Sequence, residues 1–222
     1  MPLQYSQNIT CPHCGQVYEV QIHHLIDTNN HPEWRESVRS KEFFKGRCPF
    51  CQKAVSLDYS FMYLQDNILL HYVPDNNEFM ETCRTIDDDA SWPEVLQGLS
   101  HRITHSKEEL FEKLAIFDAG LDDRIIELLK VVTAESLEKQ QPGFHCTEIY
   151  FATDISTSQP VHLLQFNDIK NQKNATLRFD ENLIALYNSL ADEYGPAIEA
   201  KHAKDVVINK DWAKEFYIEK SK

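Results

Sequence analysis

Two cysteine pairs with the same spacing are the residues of this chain best suited to chemistry. Residues 11–14 read Cys-Pro-His-Cys, and residues 48–51 read Cys-Pro-Phe-Cys. This spacing lets two thiolates reach one ion from a tight turn, and four thiolates complete the tetrahedral set that a structural zinc ion prefers. The sequence therefore predicts one structural Zn²⁺ per chain, held by four ligands: Cys11, Cys14, Cys48 and Cys51.

The residues that follow each pair have the alternation of a β-strand. Gly15 follows the first pair, where the backbone must turn sharply, and apolar residues then recur at Val17, Val20 and Ile22. After the second pair, residues 54–61 place four apolar side chains on one face: Val55, Leu57, Tyr59 and Phe61. Two copies of a metal-binding turn followed by a strand predict a zinc-ribbon-like β module over residues 1–80.

The first pair also has an alternative interpretation as a redox dithiol. Cys-Pro-His-Cys is the active-site tetrapeptide of a strongly oxidising thioredoxin-fold protein, in which a helix N-terminus lowers the pKa of the first cysteine. Residues 15–22 alternate as a strand does, and redox chemistry gives no reason for a second pair. A metal site is favoured, and thiol–disulfide exchange at Cys11 and Cys14 stays as an alternative. Cys83 and Cys146 lack a partner at such spacing and are expected to be buried, unreactive thiols.

The chain is acidic, with a formal net charge of −13 over 222 residues. Negative charge repels phosphate backbones, so the protein is not expected to bind nucleic acid. One basic stretch is an exception, and we expect a solvated loop there rather than a phosphate-binding patch. It contains Arg35, Arg39, Lys41, Lys45, Arg47 and Lys53.

The N-terminus lacks the basic and apolar regions of a signal peptide, and no apolar run approaches the length of a membrane span. These features predict a cytoplasmic protein that does not bind membranes, in a compartment that keeps thiols reduced. Three histidines between the pairs are expected to lie at the surface, because four cysteines already supply a full ligand set. They are His23, His24 and His31.

Three shorter patterns predict local structure. A helix can begin at Pro32, with Glu33 and Glu36 in its first turn. Residues 65–67 predict a hairpin turn between two apolar segments. The run Asp87-Asp88-Asp89 predicts a solvated acidic loop rather than a cation site.

Residues 106–132 carry the strongest helical pattern. Ser106 and Glu109 have the spacing of a capping box, and Gly120 stands where a first helix would end. Asp122 and Asp123 suit the positive N-terminus of a second helix. Its predicted apolar stripe consists of Leu121, Ile125, Leu128, Leu129 and Val132. Helix capping explains both aspartates, and the alternative is an enzyme with an acidic active site near Asp122 and Asp123.

With these motifs, the chain resembles the bacterial CpXC family. The resemblance rests on the two Cys-Pro-x-Cys motifs, on the aromatic pair Phe61 and Tyr63 near the end of a β segment, and on residues 112–130. The Gly-Leu-Asp-Asp-Arg run at 120–124 is one of its most specific parts. It covers roughly residues 1–130, implies the metal role of the four cysteines, and implies no biochemical activity.

Beyond residue 130 the pattern changes to a small sheet with helices. Residues 145–152, 160–166 and 175–179 predict three strands of an antiparallel meander. Asp180 begins a predicted helix that ends near Gly195-Pro196. Residues 205–208 predict a short strand, and Asp211 is the predicted cap of a last helix.

The predicted fold is α+β, with an N-terminal zinc-ribbon-like antiparallel β module, a helical hairpin, and a C-terminal small antiparallel sheet with helices. Residues 1–130 form the CpXC-like region, divided into the β module (1–80) and a connector with the helical hairpin (81–130), and residues 131–222 form a C-terminal α+β portion. The sequence has no phosphate loop, nucleophile elbow or His-Glu-x-x-His motif, so no catalytic residue or organic cofactor is predicted. The favoured function is a non-catalytic scaffold or interaction module with structural zinc and a protein partner.

Overall fold

The structure, a computed structural model, describes residues 4–86, 94–156 and 158–220, except for the side chains of Val95 and Lys220. The aspartate run at 87–89 therefore lies outside the described residues. By its internal contacts the chain divides into two compact units, Met1–Leu110 and Phe111–Lys222. The predicted division after residue 130 stays a prediction. No helix in the described ranges has the length and apolar character that a membrane span requires.

Three small sheets make up the β structure described in the first unit. Its strands are β1 (Gln4–Thr10), β2 (Val17–His23), β3 (Leu25–Asp27), β4 (Lys45–Arg47), β5 (Ala54–Ser56), β6 (Phe61–Gln65), β7 (Ile68–Tyr72) and β8 (Ser100–Thr104). β1 and β2 form one antiparallel hairpin, and β4 and β5 form another. Each of these two hairpins carries one cysteine motif in its turn.

The third sheet is mixed, with the strand order β3-β6-β7-β8. β6 and β7 form the predicted hairpin, and Asp66 in its turn has a positive φ of 53°. β3 runs parallel to β6, and β8 runs parallel to β7. Neither β3 nor β8 is predicted from the sequence, because each is short and its pairing depends on a strand distant in the chain.

Residues 54–61 do not form the single predicted strand. β5 ends at Ser56, β6 begins at Phe61, and the two strands belong to different sheets. The alternation still identifies the buried side chains, since Val55, Tyr59 and Phe61 are all buried. Burial on one side is thus readable from the sequence here, whereas the break between the two strands is not.

The inward face of β2 agrees with the prediction at Val20 and Ile22 and differs from it at Val17. It is formed by Tyr18, Val20 and Ile22, and Ile22 is fully buried. Val17 was grouped with these residues but is 58% exposed. Side chains alternate across a strand, so Val17 points to the opposite face from Val20.

Two helices belong to the first unit, α1 (Glu33–Arg39) and α2 (Asn76–Thr85). α1 begins after Pro32 with Glu33 and Glu36 in its first turn, as predicted. α2 is not predicted. The Asp75 side chain caps it by accepting from the N–H groups of Asn77 (3.0 Å) and Glu78 (2.9 Å). Asp and Asn start turns as readily as helices, so Asp75 and Asn76 alone do not identify the start of a helix.

The helical hairpin is present as α3 (Lys107–Asp118) and α4 (Asp123–Gln140). The capping box forms as predicted: Glu109 N–H donates to Ser106 Oγ (3.1 Å), and Ser106 N–H donates to the Glu109 carboxylate (3.3 Å). Gly120 ends α3 with a φ of 69°. α4 continues to Gln140, beyond the predicted apolar stripe that ends at Val132, because Ala134 and Leu137 in its last turns are buried.

The second unit contains the predicted meander of β9 (Glu148–Asp154), β10 (Val161–Asp168) and β11 (Lys173–Arg178). The strand order is β11-β10-β9, and both pairings are antiparallel. Its apolar core includes Phe144, Ile149, Phe151, Leu164 and Phe166 from this region, together with residues of α4. The overall fold is therefore α+β, as predicted.

The last helices, α5 (Glu181–His202) and α6 (Lys210–Lys220), correct three predictions. α5 begins at the Asp180 cap but continues through Pro196, because Ile198 beyond it is 1% exposed. Residues 205–208 are not a strand. The cap of α6 is Asn209 rather than Asp211, since the Asn209 side chain accepts from the N–H groups at 211 (3.1 Å) and 212 (3.0 Å).

Candidate metal centre

The first cysteine pair lies in a tight turn between β1 and β2. Cys11 N–H donates to the carbonyl of Gln16 (2.9 Å), and Gly15 N–H donates to the carbonyl of Cys11 (2.9 Å). Gly15 has a φ of 72°, a conformation that costs glycine little and other residues more. The turn places the Cys11 and Cys14 side chains on the same side.

The second pair repeats this turn between β4 and β5. Cys48 N–H donates to the carbonyl of Lys53 (3.0 Å), and Gln52 N–H donates to the carbonyl of Cys48 (2.9 Å). Gln52 has a φ of 61° and stands at the same position relative to its pair as Gly15 does. The two turns, residues 11–16 and 48–53, therefore have the same hydrogen bonding with different residues at the left-handed position.

The four thiols converge into one cluster. Their sulfur atoms all lie within 4.8 Å of one another, and the described residues contain no other such group of potential metal ligands. Cys11 Sγ is 3.7 Å from Cys51 Sγ, and Cys14 Sγ is 3.7 Å from Cys48 Sγ, so each close contact joins one turn to the other. These separations are far longer than the roughly 2.05 Å of a disulfide bond. The cluster can hold a metal ion.

Burial around the sulfurs is uneven. Cys11 and Cys48 are 1% and 0% exposed, whereas Cys14 is exposed and Cys51 is half-buried. Cys11, Cys48 and Val55 form a small apolar core, against which four side chains pack: Ile9, Tyr18, Cys51 and Leu57. The first cysteine of each pair thus lies in the interior, and the second lies towards solvent.

The thiol pKa values are pulled apart by this crowding. Desolvation opposes ionisation of Cys11, but N–H groups of His13 and Cys14 that point at its sulfur outweigh it and lower the pKa to about 6. For Cys14, an N–H from Gln16 favours the thiolate, but desolvation and contact with the other three sulfurs raise its pKa to about 12. A cation bound among the four sulfurs would stabilise them all as thiolates.

Tyr18 is the one residue near the cluster with a buried hydroxyl that lacks a hydrogen-bond partner among the described residues. Burial raises the pKa of Tyr18, and negative charge on Cys48 and Cys11 adds to the rise. The sequence does not predict that Tyr18 lies near the cysteine cluster. Its position opposite Ile9 in the hairpin register, on the inward face, is the signal that could have identified it.

None of the three linker histidines belongs to the cysteine cluster. His23 contacts the rings of Trp34 (4.9 Å between centroids) and Phe43 (5.0 Å), and His31 stacks on Trp34 (4.2 Å). His23 and His31 therefore belong to an aromatic cluster with Trp34 and Phe43, and His24 contacts the ring of Tyr5 (6.2 Å). His13, within the first motif, contacts the second hairpin through Nε2 and the carbonyl of Ala54 (3.1 Å).

Four of the six residues of the basic stretch bind nearby groups. Arg35 pairs with Asp66 (3.4 Å), Arg39 donates to Gln65 (3.0 Å) and Lys45 pairs with Glu42 (2.5 Å). Arg47 donates to the carbonyl of Gln52 in the second metal-binding turn (2.9 Å). These side chains stabilise their own surroundings.

Each polar side chain of the run at 120–124 has a partner in the second unit. Asp122 is the N-cap of α4 and accepts from the Arg124 N–H (2.9 Å). The Arg124 guanidinium forms a fork to Asp122 (2.7 Å) and Glu199 (2.5 Å), and these contacts raise its pKa. Asp123 is 1% exposed and pairs with Lys113 (3.0 Å). Helix capping explains Asp122, whereas Asp123 also takes part in a buried ion pair that was not predicted.

That ion pair is part of a buried network of five charged side chains in α3 and α4. Lys130 contacts Glu112 (2.6 Å) and Glu127 (2.8 Å), and Lys113 contacts Glu127 at a longer distance (3.6 Å) as well as Asp123. All five are at most 9% exposed. Burial raises the pKa of Glu112, the charge of Lys130 opposes this rise, and the negative charge of Glu127 adds to it. The amphipathic pattern of α4 gave no signal for this network.

The two remaining cysteines are half-buried rather than buried. Desolvation raises the pKa of both Cys83 and Cys146, which makes their thiolates scarce at neutral pH. This agrees with the predicted low reactivity. Neither lies in a group of potential metal ligands among the described residues.

With the geometry established, comparison with known proteins identifies the family. A family model described as CpXC protein matches residues 9–130, which is more than half of the chain. The chain belongs to the CpXC family. The CpXC match contains both cysteine motifs, the run at 120–124 and all five members of the buried ion network. Comparison with curated proteins and with solved structures gives no match.

Proposed function

We propose that this CpXC protein is a non-catalytic interaction module whose ribbon is held by one structural zinc ion, bound by Cys11, Cys14, Cys48 and Cys51. The observation that carries the proposal is the convergence of four sulfurs from two identical turns. A tetrahedral site with Zn–S bonds of about 2.3 Å has sulfur–sulfur edges of about 3.8 Å. The two 3.7 Å contacts across the turns have the length of such edges.

The environment of the cluster supports a structural rather than a redox role. The first cysteine of each pair lies in a β-turn and is almost fully buried, not at a helix N-terminus. All six cysteines are free thiols, which fits a cytoplasmic location, where thiols stay reduced. The acidic residues Asp122 and Asp123 each have a structural partner, which favours a scaffold over an acidic active site.

We assign the interaction role to protein partners. The net charge of −13 opposes contact with phosphate backbones, and the basic stretch is largely paired within the chain. Membrane association is not part of the proposal. A small ribbon that needs a metal to fold is well suited to presenting a strand or loop in a fixed conformation.

The metal assignment is tested by elemental analysis of protein purified without chelator. We expect about one zinc per chain, and a Cys48→Ser variant that has lost it. Cys83→Ser is the matched control and should retain the metal. Metal-free protein with an oxidised Cys11–Cys14 pair would overturn the proposal and favour redox chemistry. A full complement of zinc that survives Cys48→Ser would overturn the ligand assignment.

A further inference from the structure

β1 has an open edge that faces outward from the ribbon hairpin. Within the described parts of the chain, β1 pairs with β2 alone. Cys11 N–H bonds to the Gln16 carbonyl, so Cys11 directs its backbone groups towards β2. Because these groups alternate sides along a strand, every second residue of β1 directs its N–H and C=O to the open edge. These residues are Gln4, Ser6, Asn8 and Thr10.

This edge lacks the features that normally prevent strand pairing. Natural edge strands are protected by charged side chains, proline or bulges. β1 reads Gln-Tyr-Ser-Gln-Asn-Ile-Thr and contains no charged residue and no proline. Six of its seven residues are exposed, and its register with β2 is continuous. The strand is therefore a straight, uncharged template for a further strand.

A second copy of β1 matches this edge. In an antiparallel pair centred on Gln7, Ser6 lies opposite Asn8 of the other copy, and Gln4 lies opposite Thr10. All four residues direct their backbone groups to the open edge, so about eight hydrogen bonds form, two for each of four bonded pairs. Tyr5 then lies opposite Ile9, which is an aromatic–aliphatic pair across the strands. A register shifted by two residues leaves two of the seven β1 residues without a residue opposite them, so the pair centred on Gln7 is favoured.

Charge also favours β1, over other surfaces of the chain, as the place where two copies meet. With a net charge of −13, most approaches of two copies bring like charges together. β1 is uncharged over all seven residues, so this edge avoids that repulsion. The inward face of β1 also borders a shallow groove of about 280 Å³ lined by Ile9, Val20, Ile22, Val55 and Leu57 among others. Tyr5 and Ile9 of the added strand would extend this apolar face.

We infer that two copies of the chain pair through their β1 strands, so that two ribbon hairpins join into one four-stranded antiparallel sheet. The inference rests on the proposed function in that it gives the interaction module a partner, a second copy of itself. Such a strand pair buries less surface than the roughly 1,200 Å² of a standard interface, so we expect a reversible dimer.

The first test measures molecular mass by light scattering over a concentration series reaching on the order of 100 μM. We expect a monomer–dimer equilibrium in the wild-type protein. Ser6→Lys combined with Asn8→Lys puts like charges opposite each other twice and should abolish the dimer. Ser6→Lys combined with Asn8→Glu puts opposite charges there and should preserve it. Zinc content is measured in every sample, so loss of metal, which concerns the proposed function, is distinguished from loss of pairing.

The second test fixes the register. Gln7 meets its own copy in a non-hydrogen-bonded pair, with Cα atoms about 4.5 Å apart, within the range of a disulfide. Gln7→Cys should therefore give a covalent dimer under mild oxidation, whereas Gln21→Cys, exposed on β2, should stay at the wild-type background. A monomeric wild type, a dimer that withstands the lysine pair, or equal crosslinking at both positions would overturn the inference. A monomer that captures only a foreign peptide on β1 would overturn it too.

Discussion

The ribbon, defined as residues 4–23 and 45–56, and the second unit are held together by different means. The apolar core beneath the four sulfurs of the ribbon is small, with Cys11, Cys48 and Val55 as its buried members. The second unit has a continuous apolar core that runs from Ile116 to Phe216, and a buried ion network beside it. A short hairpin has too little apolar surface for independent stability, whereas the second unit has enough.

On the proposed function, a metal ion takes the place of a large apolar core in the ribbon, and the second unit depends on its own apolar core. If so, perturbing the metal should affect the ribbon selectively, and perturbing the ion network should affect the second unit selectively. Hydrogen exchange is the suitable measurement, because it gives a separate opening free energy for each region where one global value would mix them.

The largest expected effect follows metal removal. Structural zinc contributes about 10 kcal/mol or more to the folding of small domains that depend on it. Chelation, or Cys48→Ser, should therefore remove most amide protection from the ribbon while leaving α4 and β9–β11 protected. Cys83→Ser should leave both patterns unchanged. Undiminished ribbon protection in verified metal-free protein would contradict the comparison.

The next effect concerns the ion network of the second unit. Lys130→Met leaves Glu112 buried without its cation and leaves Glu127 with the more distant Lys113 alone, and breaking a buried pair in this way costs about 3–5 kcal/mol. The opening free energy of α4 should fall by that amount, with ribbon protection and zinc content unchanged. Lys139→Met, at an exposed position of the same helix, is the matched control and should change stability little. Equal effects of the two substitutions would show that the network contributes nothing.

Sequence reasoning located the cysteine cluster and the main helices because their signals are local. The C-x-x-C spacing, the Ser106–Glu109 box and the glycine at 120 each define a turn or cap within a few residues. The ion network is different, since a lysine at position 130 looks solvent-exposed until Glu112 is known to lie beside it. The continuation of α5 through Pro196 likewise depends on the burial of Ile198, a tertiary contact that overrides a local helix-ending signal.

Mild acid should change the stability of the mixed sheet β3-β6-β7-β8 and the stability of the second unit in opposite directions. His71 in β7 is 4% exposed, and desolvation lowers its pKa to about 3, with positive charge on His101 and His24 adding to the shift. The unfolded chain binds a proton near pH 6.5 that the folded chain excludes, so stability is complete above pH 6.5 and decreases as the pH falls towards 3. Between pH 7 and pH 4.5 the loss is about 2–3 kcal/mol.

Glu112 changes stability in the opposite direction. Its pKa in the folded state is raised, so the folded protein takes up a proton before the unfolded chain does, and the second unit gains stability as the pH falls through the raised pKa towards 4.5. Exchange at pH 7 and pH 4.5 should show β6–β8 loosening relative to α4. His71→Gln keeps a donor for His101 Nδ1, which lies 3.2 Å from Nε2 of the native histidine, and should remove most of the pH dependence of the sheet. An unchanged pH dependence in this variant would assign it to other groups.

The smallest expected effect comes from alanine substitutions at two glycines that have the same backbone conformation. Gly15 ends the first metal-binding turn with a φ of 72°, and Gly120 ends α3 with a φ of 69°. A Cβ added at either position meets nothing within 4 Å, so alanine introduces backbone strain without a clash. Strain of this kind costs about 1 kcal/mol. The two substitutions therefore introduce the same strain energy. They differ in that the ribbon is proposed to depend on a metal ion, whereas the second unit depends on its apolar core.

Gly120→Ala should lower the opening free energy of α3 and α4 by about 1 kcal/mol and leave zinc affinity unchanged. Gly15→Ala should cost the same energy. The proposed function couples folding of the ribbon to zinc binding, so this cost is expected as a roughly fivefold weaker zinc affinity in a chelator competition. Gln52 already holds the left-handed conformation without glycine, and its side-chain amide donates to the Pro49 carbonyl (2.9 Å). Gly15→Gln should therefore lose less zinc affinity than Gly15→Ala. A Gly15→Ala variant whose zinc affinity equals the wild-type value would show that folding and metal binding of the ribbon are less tightly coupled than the comparison requires.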